Sequence, residues 1–198
     1  MAPSDSMTLR ILALARSLLC LPGKIASWLI LPLVLTILLS VIAAIMGWST
    51  LIDWEGELPI LGSALTVNSL LDLQWYSFAL IVLFGGVWAF FEDRHVTVDF
   101  LALHFSPRAR ALISLFGDLF LLLPLCALCI WYGSRFAGIA WRTGEGSTQG
   151  GLEAHWLIKG AVPVSFALLG LAGIVRMITT LRELRQNTFH EIETHHDS

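Results

Sequence analysis

The chain has 198 residues, of which 56% are hydrophobic and 14% are charged. Soluble domains carry about 25% charged residues, so the composition excludes a water-soluble globular protein. Once four long apolar stretches are set aside, it also excludes a separate soluble catalytic domain. The net charge is −3 and no basic run is interleaved with aromatics, which excludes a nucleic-acid surface.

Residues 1–24 form an amino-terminal arm. Within it, residues 8–21 mix Leu and Ile with Arg10 and Arg16 and are too short to span, which predicts an amphipathic helix on the cytoplasmic membrane surface. Leu18-Leu19 before Cys20 lack the small residues of a processing site, so the first span is expected to be an uncleaved anchor. A bilayer core of ~30 Å needs about 20 apolar residues as a helix. The first such stretch is 25–48, with no ionisable residue between Lys24 and Asp53. Pro32 predicts a kink near its start, and Trp28 and Trp48 sit where rings favour the headgroup layer.

Residues 49–72 contain Asp53, Glu55, Glu57 and Asp72 but no Lys or Arg, and read as an outer loop. The second span, 73–91, opens on Gln74-Trp75-Tyr76 and closes at Glu92-Asp93-Arg94. Gly85-Gly86 would admit another helix closely. In residues 97–106, Val98, Leu101, Ala102 and Phe105 recur at spacings of three and four, predicting a second surface helix with Asp99 as its cap. The third span, 111–134, holds Asp118 and Pro124. The following loop carries Gly144-Glu145-Gly146-Ser147 and Gly150-Gly151-Leu152; it lacks the Lys of a phosphate loop, and tight turns are expected. The fourth span, 157–179, begins beside Trp156 with Lys159 able to snorkel to the interface, and the tail frays from Gln186.

Lys and Arg fix the orientation. Nine flank the spans on one side: Arg10, Arg16, Lys24, Arg94, Arg108, Arg110, Arg176, Arg182 and Arg185. The other side has three: Arg135, Arg142 and Lys159. The positive-inside rule then places both termini in the cytoplasm. The fold class is an all-α integral membrane protein with four transmembrane helices, N-in/C-in, and short interfacial amphipathic helices. Residues 25–182 form the membrane domain and 183–198 a polar cytoplasmic tail.

Little in the chain offers catalytic chemistry. Cys126 and Cys129 have C-x-x-C spacing, as in a quinone-linked thiol oxidase, but inside an apolar span their thiols are held neutral and read as small packing residues. No histidine lies centrally in a span, where a haem anchor would need it. Asp118, about 16 Å from Pro107 at 1.5 Å per residue, offers either a proton relay or a polar contact to another helix. No basic residue is expected at its depth. Arg94-His95-Val96-Thr97-Val98-Asp99-Phe100 reads as a charged structural joint. No catalytic, cofactor-binding or metal residue is assigned. Structural or interface candidates are Gln74, Trp75, Arg94, His95, Asp99, Asp118, Glu145, Trp156 and Lys159.

The order of these short motifs carries a resemblance. Leu73-Gln74-Trp75-Tyr76 and Arg94-His95-Val96-Thr97-Val98-Asp99 come first, followed by Ser106-Pro107-Arg108, Gly117-Asp118, Leu123-Pro124 and Trp131. The two glycine motifs and Trp156-Leu157-Ile158-Lys159 close the series. Over about residues 25–182 the chain resembles the small permease subunit of tripartite ATP-independent periplasmic (TRAP) transporters, in the mannitol/chloroaromatic or 2-oxoacid-like branch. The resemblance implies a scaffold subunit in a bacterial inner membrane, surrounded by lipid. Its partners would be a large permease subunit, which holds the solute and sodium sites, and a periplasmic solute-binding protein that captures carboxylates. It implies no cofactor and no enzymatic activity. Many small permeases carry acidic and arginine residues at the head of span two, where this chain has Gln74-Trp75-Tyr76, so any role of those charges does not transfer. The alternative is a membrane subunit of an oxidoreductase, thiol-quinone or cytochrome-anchoring.

Overall fold

A computed structural model describes residues 3–58, 60–92, 106–147 and 150–196. The elements are α1 (Pro3–Ser27), α2 (Ile30–Met46), β1 (Thr50–Leu58), β2 (Gly62–Thr66) and α3 (Val67–Phe91). They continue with α4 (Pro107–Gly117), a π-helical turn (Asp118–Leu122), α5 (Leu123–Thr143) and α6 (His155–His196). Four helical stretches are long and apolar enough to cross a bilayer: Arg10–Met46, Val67–Phe91, Arg108–Thr143 and His155–Arg185. The chain is an all-α integral membrane protein.

Proline sets both irregularities within these stretches. Pro32 has no N–H to reach the Trp28 carbonyl. The Leu31 N–H takes that carbonyl at 3.2 Å, and the Leu29 N–H takes Ala26 at 3.0 Å, so the chain turns tightly between α1 and α2. The expected kink is therefore a single tightened turn at Trp28–Leu29, within the stretch Arg10–Met46. In the third stretch, the Leu123 N–H reaches back five residues to the Asp118 carbonyl. The widened turn lies just ahead of Pro124, whose ring would crowd the carbonyl four residues earlier in a regular helix.

Each stretch begins or ends beyond its expected limits. α3 starts at a capping box in which Thr66 and Ser69 exchange side-chain and backbone hydrogen bonds. It adds six residues, three of them polar, before the expected start at 73. α1 runs to Ser27 and buries Leu19, Cys20 and Ala26, so its second half packs into the protein and does not only lie on a surface. Gly23 permits that approach, since a Cβ there would fall 2.7 Å from the Phe84 carbonyl oxygen. The tail expected to fray from Gln186 continues as helix to His196. The predicted surface helix over 97–106 falls largely outside the described residues.

The segment expected to be a plain outer loop folds as an antiparallel hairpin, with Thr50 opposite Thr66 and Leu58 opposite Gly62. Its ladder is irregular between Asp53 and Leu58. The Trp54 Nε1–H closes the gap by donating to the Gly62 carbonyl at 2.9 Å.

The spans stand in a row. α3 packs against α2 on one side and α6 on the other, α5 packs against α6, and α1 lies against α3 and α6. A small core of Leu19, Val87, Phe90 and Ala172 joins α1, α3 and α6. In no span is more than 22% of the apolar window buried inside the protein. Between lipid-facing helices there is little hydrophobic drive, so close approach of small residues carries the packing. The buried set fits this: Ala43, Ala140, Ala161, Ala172, Ser69 and Ser165.

Candidate functional site

Three polar joints tie the row together. The first joins α2 to α3. Gln74 Nε2 donates to the Thr36 carbonyl and to Ser40 Oγ, both at 3.0 Å. Thr36 and Ser40 turn their own hydroxyls to carbonyls one turn back on α2, the usual way a buried hydroxyl is satisfied within a helix. Gln74 is thus a seam residue, two turns inside the helix it was expected to open. Trp75, the next residue, is 70% exposed and points away from the row.

The second joint lies between the π-helical turn and α6. Asp118 is 3% exposed and receives both Nε and Nη2 of Arg176 in a two-point ion pair. The guanidinium carbon also lies 3.8 Å from the ring centroid of Phe90 on α3. Three spans therefore meet at one cation. The expectation that Asp118 has no basic partner at its depth is corrected here. Arg176 is a residue of the fourth helix facing the third and not a flanking charge. An unpaired carboxylate in this setting would be costly; two aligned hydrogen bonds with charge complementarity offset that cost. The π turn begins at Asp118 itself.

The third joint is at the hairpin end. The glycine loop folds onto the head of α3: Asp72 Oδ2 accepts the Leu152 N–H at 3.0 Å. A Cβ at Gly151 would collide with that carboxylate, so only glycine fits. Thr66 Oγ1 donates to the Gly150 carbonyl at 2.8 Å, and the Glu153 N–H donates to the Ile60 carbonyl at the hairpin tip. Gly144 and Gly150 take left-handed φ values of 60° and 70°, as the expected tight turns require. Glu145 and Lys159 form an ion pair at 2.5 Å, and the ammonium lies 4.1 Å from the Phe136 ring centroid. Trp156 packs edge-on against Trp141 with centroids 4.5 Å apart, and His155 packs edge-on against Tyr76. Hairpin, loop and three helix ends form one connected cap.

Of the nine residues singled out from the sequence, Glu145, Trp156 and Lys159 come together in this cap, while Gln74 and Asp118 sit in separate joints. Arg94, His95 and Asp99 lie outside the described residues. The sequence reading did not single out Thr36, Ser40, Asp72 and Arg176 as joint residues. For Arg176 the signal was present: it stood inside the fourth apolar span, as Asp118 stood inside the third.

Residues 69–183 match the family model described as "Tripartite ATP-independent periplasmic transporters, DctQ component". The chain belongs to that family. The DctQ match begins at Ser69 in the α3 capping box and ends just past Arg176, so it contains the ion pair and the glycine loop. It leaves out α1, α2 and the hairpin. No curated protein and no solved structure gives a match. The family makes this chain the small membrane component of a TRAP transporter, working beside a large permease and a periplasmic binding protein. The oxidoreductase alternative is not favoured by this membership. Cys126 is buried, with its side chain against Gly170 of α6, as a packing residue would be.

Proposed function

We propose that this DctQ component is a scaffold that fixes the large permease in a bacterial inner membrane, while the permease and the binding protein handle the solute. The observation that carries the reading is the row itself. Its apolar flanks are wide and exposed, and the polar side chains at its joints bind neighbouring helices. A helical surface of that kind suits lipid on one side and a partner on the other.

The cap at the hairpin end would face the binding protein, and both termini would lie in the cytoplasm, an orientation supported by the arginine-rich flanks. The transporter would import carboxylate-type solutes in symport with sodium, in the mannitol/chloroaromatic or 2-oxoacid-like branch. The glycine loop and Trp156–Lys159, the motifs behind that branch reading, form the cap.

The test is reconstitution. The large permease should co-purify with this chain. Proteoliposomes with all three components and a sodium gradient should take up solute, and the chain alone should take up none. Uptake by the chain alone would reject the scaffold.

A further inference from the structure

Two hollows on the row meet at Phe90 and Leu122. The larger, of about 450 Å³, runs between α3 and α6 past Val82, Gly86, Phe166 and Leu169, and its lining is almost wholly apolar. The smaller, of about 380 Å³, is lined by Ser114, Asp118, Leu121 and Arg176. Both sizes fall in the ~300–1,000 Å³ range of small-ligand sites. An apolar channel thus ends at a guanidinium.

The Arg176 head is held in a defined pose. Nε and Nη2 bind Asp118, which leaves Nη1 with no hydrogen bond among the described residues. Arg176 retains 28% exposure of its side chain. Its height in the bilayer is set by Phe90, the last residue but one of α3. From Phe90 back to Val82 the channel extends about 12 Å along α3, and from Arg176 back to Ser165 about 16 Å along α6, at 1.5 Å per residue. That is about half of a ~30 Å hydrocarbon core, the depth of one leaflet. A transmembrane helix of a partner would need a groove through the full thickness; one acyl chain needs only this half.

We infer that this channel is a phospholipid site: an acyl chain lies between α3 and α6, and the phosphate is bound by the outward edge of Arg176. Basic pockets between membrane helices near the bilayer surface bind anionic headgroups. In this site Asp118 is a positioning residue. It fixes one edge of the guanidinium and so presents the other, and Phe90 supports the plane from beneath. Gly86 keeps the channel open, since a Cβ built there meets nothing within 4 Å.

The experiment is native mass spectrometry of the delipidated full chain in micelles doped with phosphatidylglycerol. Diacylglycerol, which has chains without phosphate, and inorganic phosphate, which has no chain, serve as separate probes. Gly86→Leu fills the channel. Arg176→Gln combined with Asp118→Asn removes the head contact without stranding a charge. Phosphatidylglycerol should remain as one adduct on the wild type. Each variant should weaken it by about tenfold, the size expected for loss of one charge-assisted hydrogen bond or a comparable apolar contact. Neither single-part probe should compete. Circular dichroism and elution volume show that the variants are folded; if the paired substitution does not fold, Gly86→Leu decides. Unchanged retention in the folded variants, or equal binding of diacylglycerol, overturns the proposal. So does a Gly86→Leu chain that loses the large permease while holding lipid as tightly as wild type, which would make the channel a protein seat.

Discussion

Asp118 and Arg176 show what a single pair does in lipid. Each alone would be a buried or half-buried ion with nothing to answer it; together they join two helices and order a third through Phe90. Removing one member should therefore cost more than removing both. Asp118→Leu or Arg176→Leu is expected to destabilise the purified protein by about 3–5 kcal/mol, because one charge is stranded, and the double substitution by distinctly less. Thermal unfolding in one detergent would check this; additive losses would deny the coupling. The partners were legible in the sequence only as two exceptions. Asp118 stood out in its span, whereas Arg176 was absorbed into the basic flank used for orientation. Spacing along the chain does not say which face of a helix meets which, and the pair spans 58 residues.

At the scale of elements, span number and order were readable because apolar length alone decides them. The ends were not. Thr66 and Asn68-Ser69 look like loop residues, yet Thr66 and Ser69 cap α3, and Asp72, counted as a loop acid, is the acceptor that seats the glycine loop. The hairpin was hidden for a related reason. Thr50–Leu58 does not alternate cleanly, and no two-residue Asn-Gly or Asp-Gly signature separates it from Gly62–Thr66. The tightened turn at Trp28–Leu29 was half read: Pro32 marked the place, but not that the arm before it would pack on α3. The cap makes a direct prediction. Asp72→Ala leaves the Leu152 N–H without its acceptor, so amide exchange over residues 150–155 should speed up by about tenfold or more. Exchange in the α3–α6 core should stay as it was. Unchanged exchange in the loop would mean that Asp72 does not hold it.

At the scale of the whole molecule, two expectations follow. If small-residue packing is the work of Cys126 and Cys129, replacing both with alanine should leave transport by the assembled complex within about twofold, since surface and volume-conserving changes are mild. Abolished transport would revive the thiol reading. Reporter fusions at the two termini should be active only on the cytoplasmic side, and a reporter placed in the hairpin only on the other, if the basic bias governs insertion. A periplasmic signal from either terminus would reverse the proposed orientation.

The single-file arrangement has a mechanical corollary. A helix with its side chains is about 10–12 Å across, so this protein is broad and thin, closer to a fence than to a post. Leaning it over would drag greasy flank into water along its whole breadth, a penalty that grows with width. As the scaffold we propose, such a panel would be an outrigger that holds the large permease upright in the bilayer.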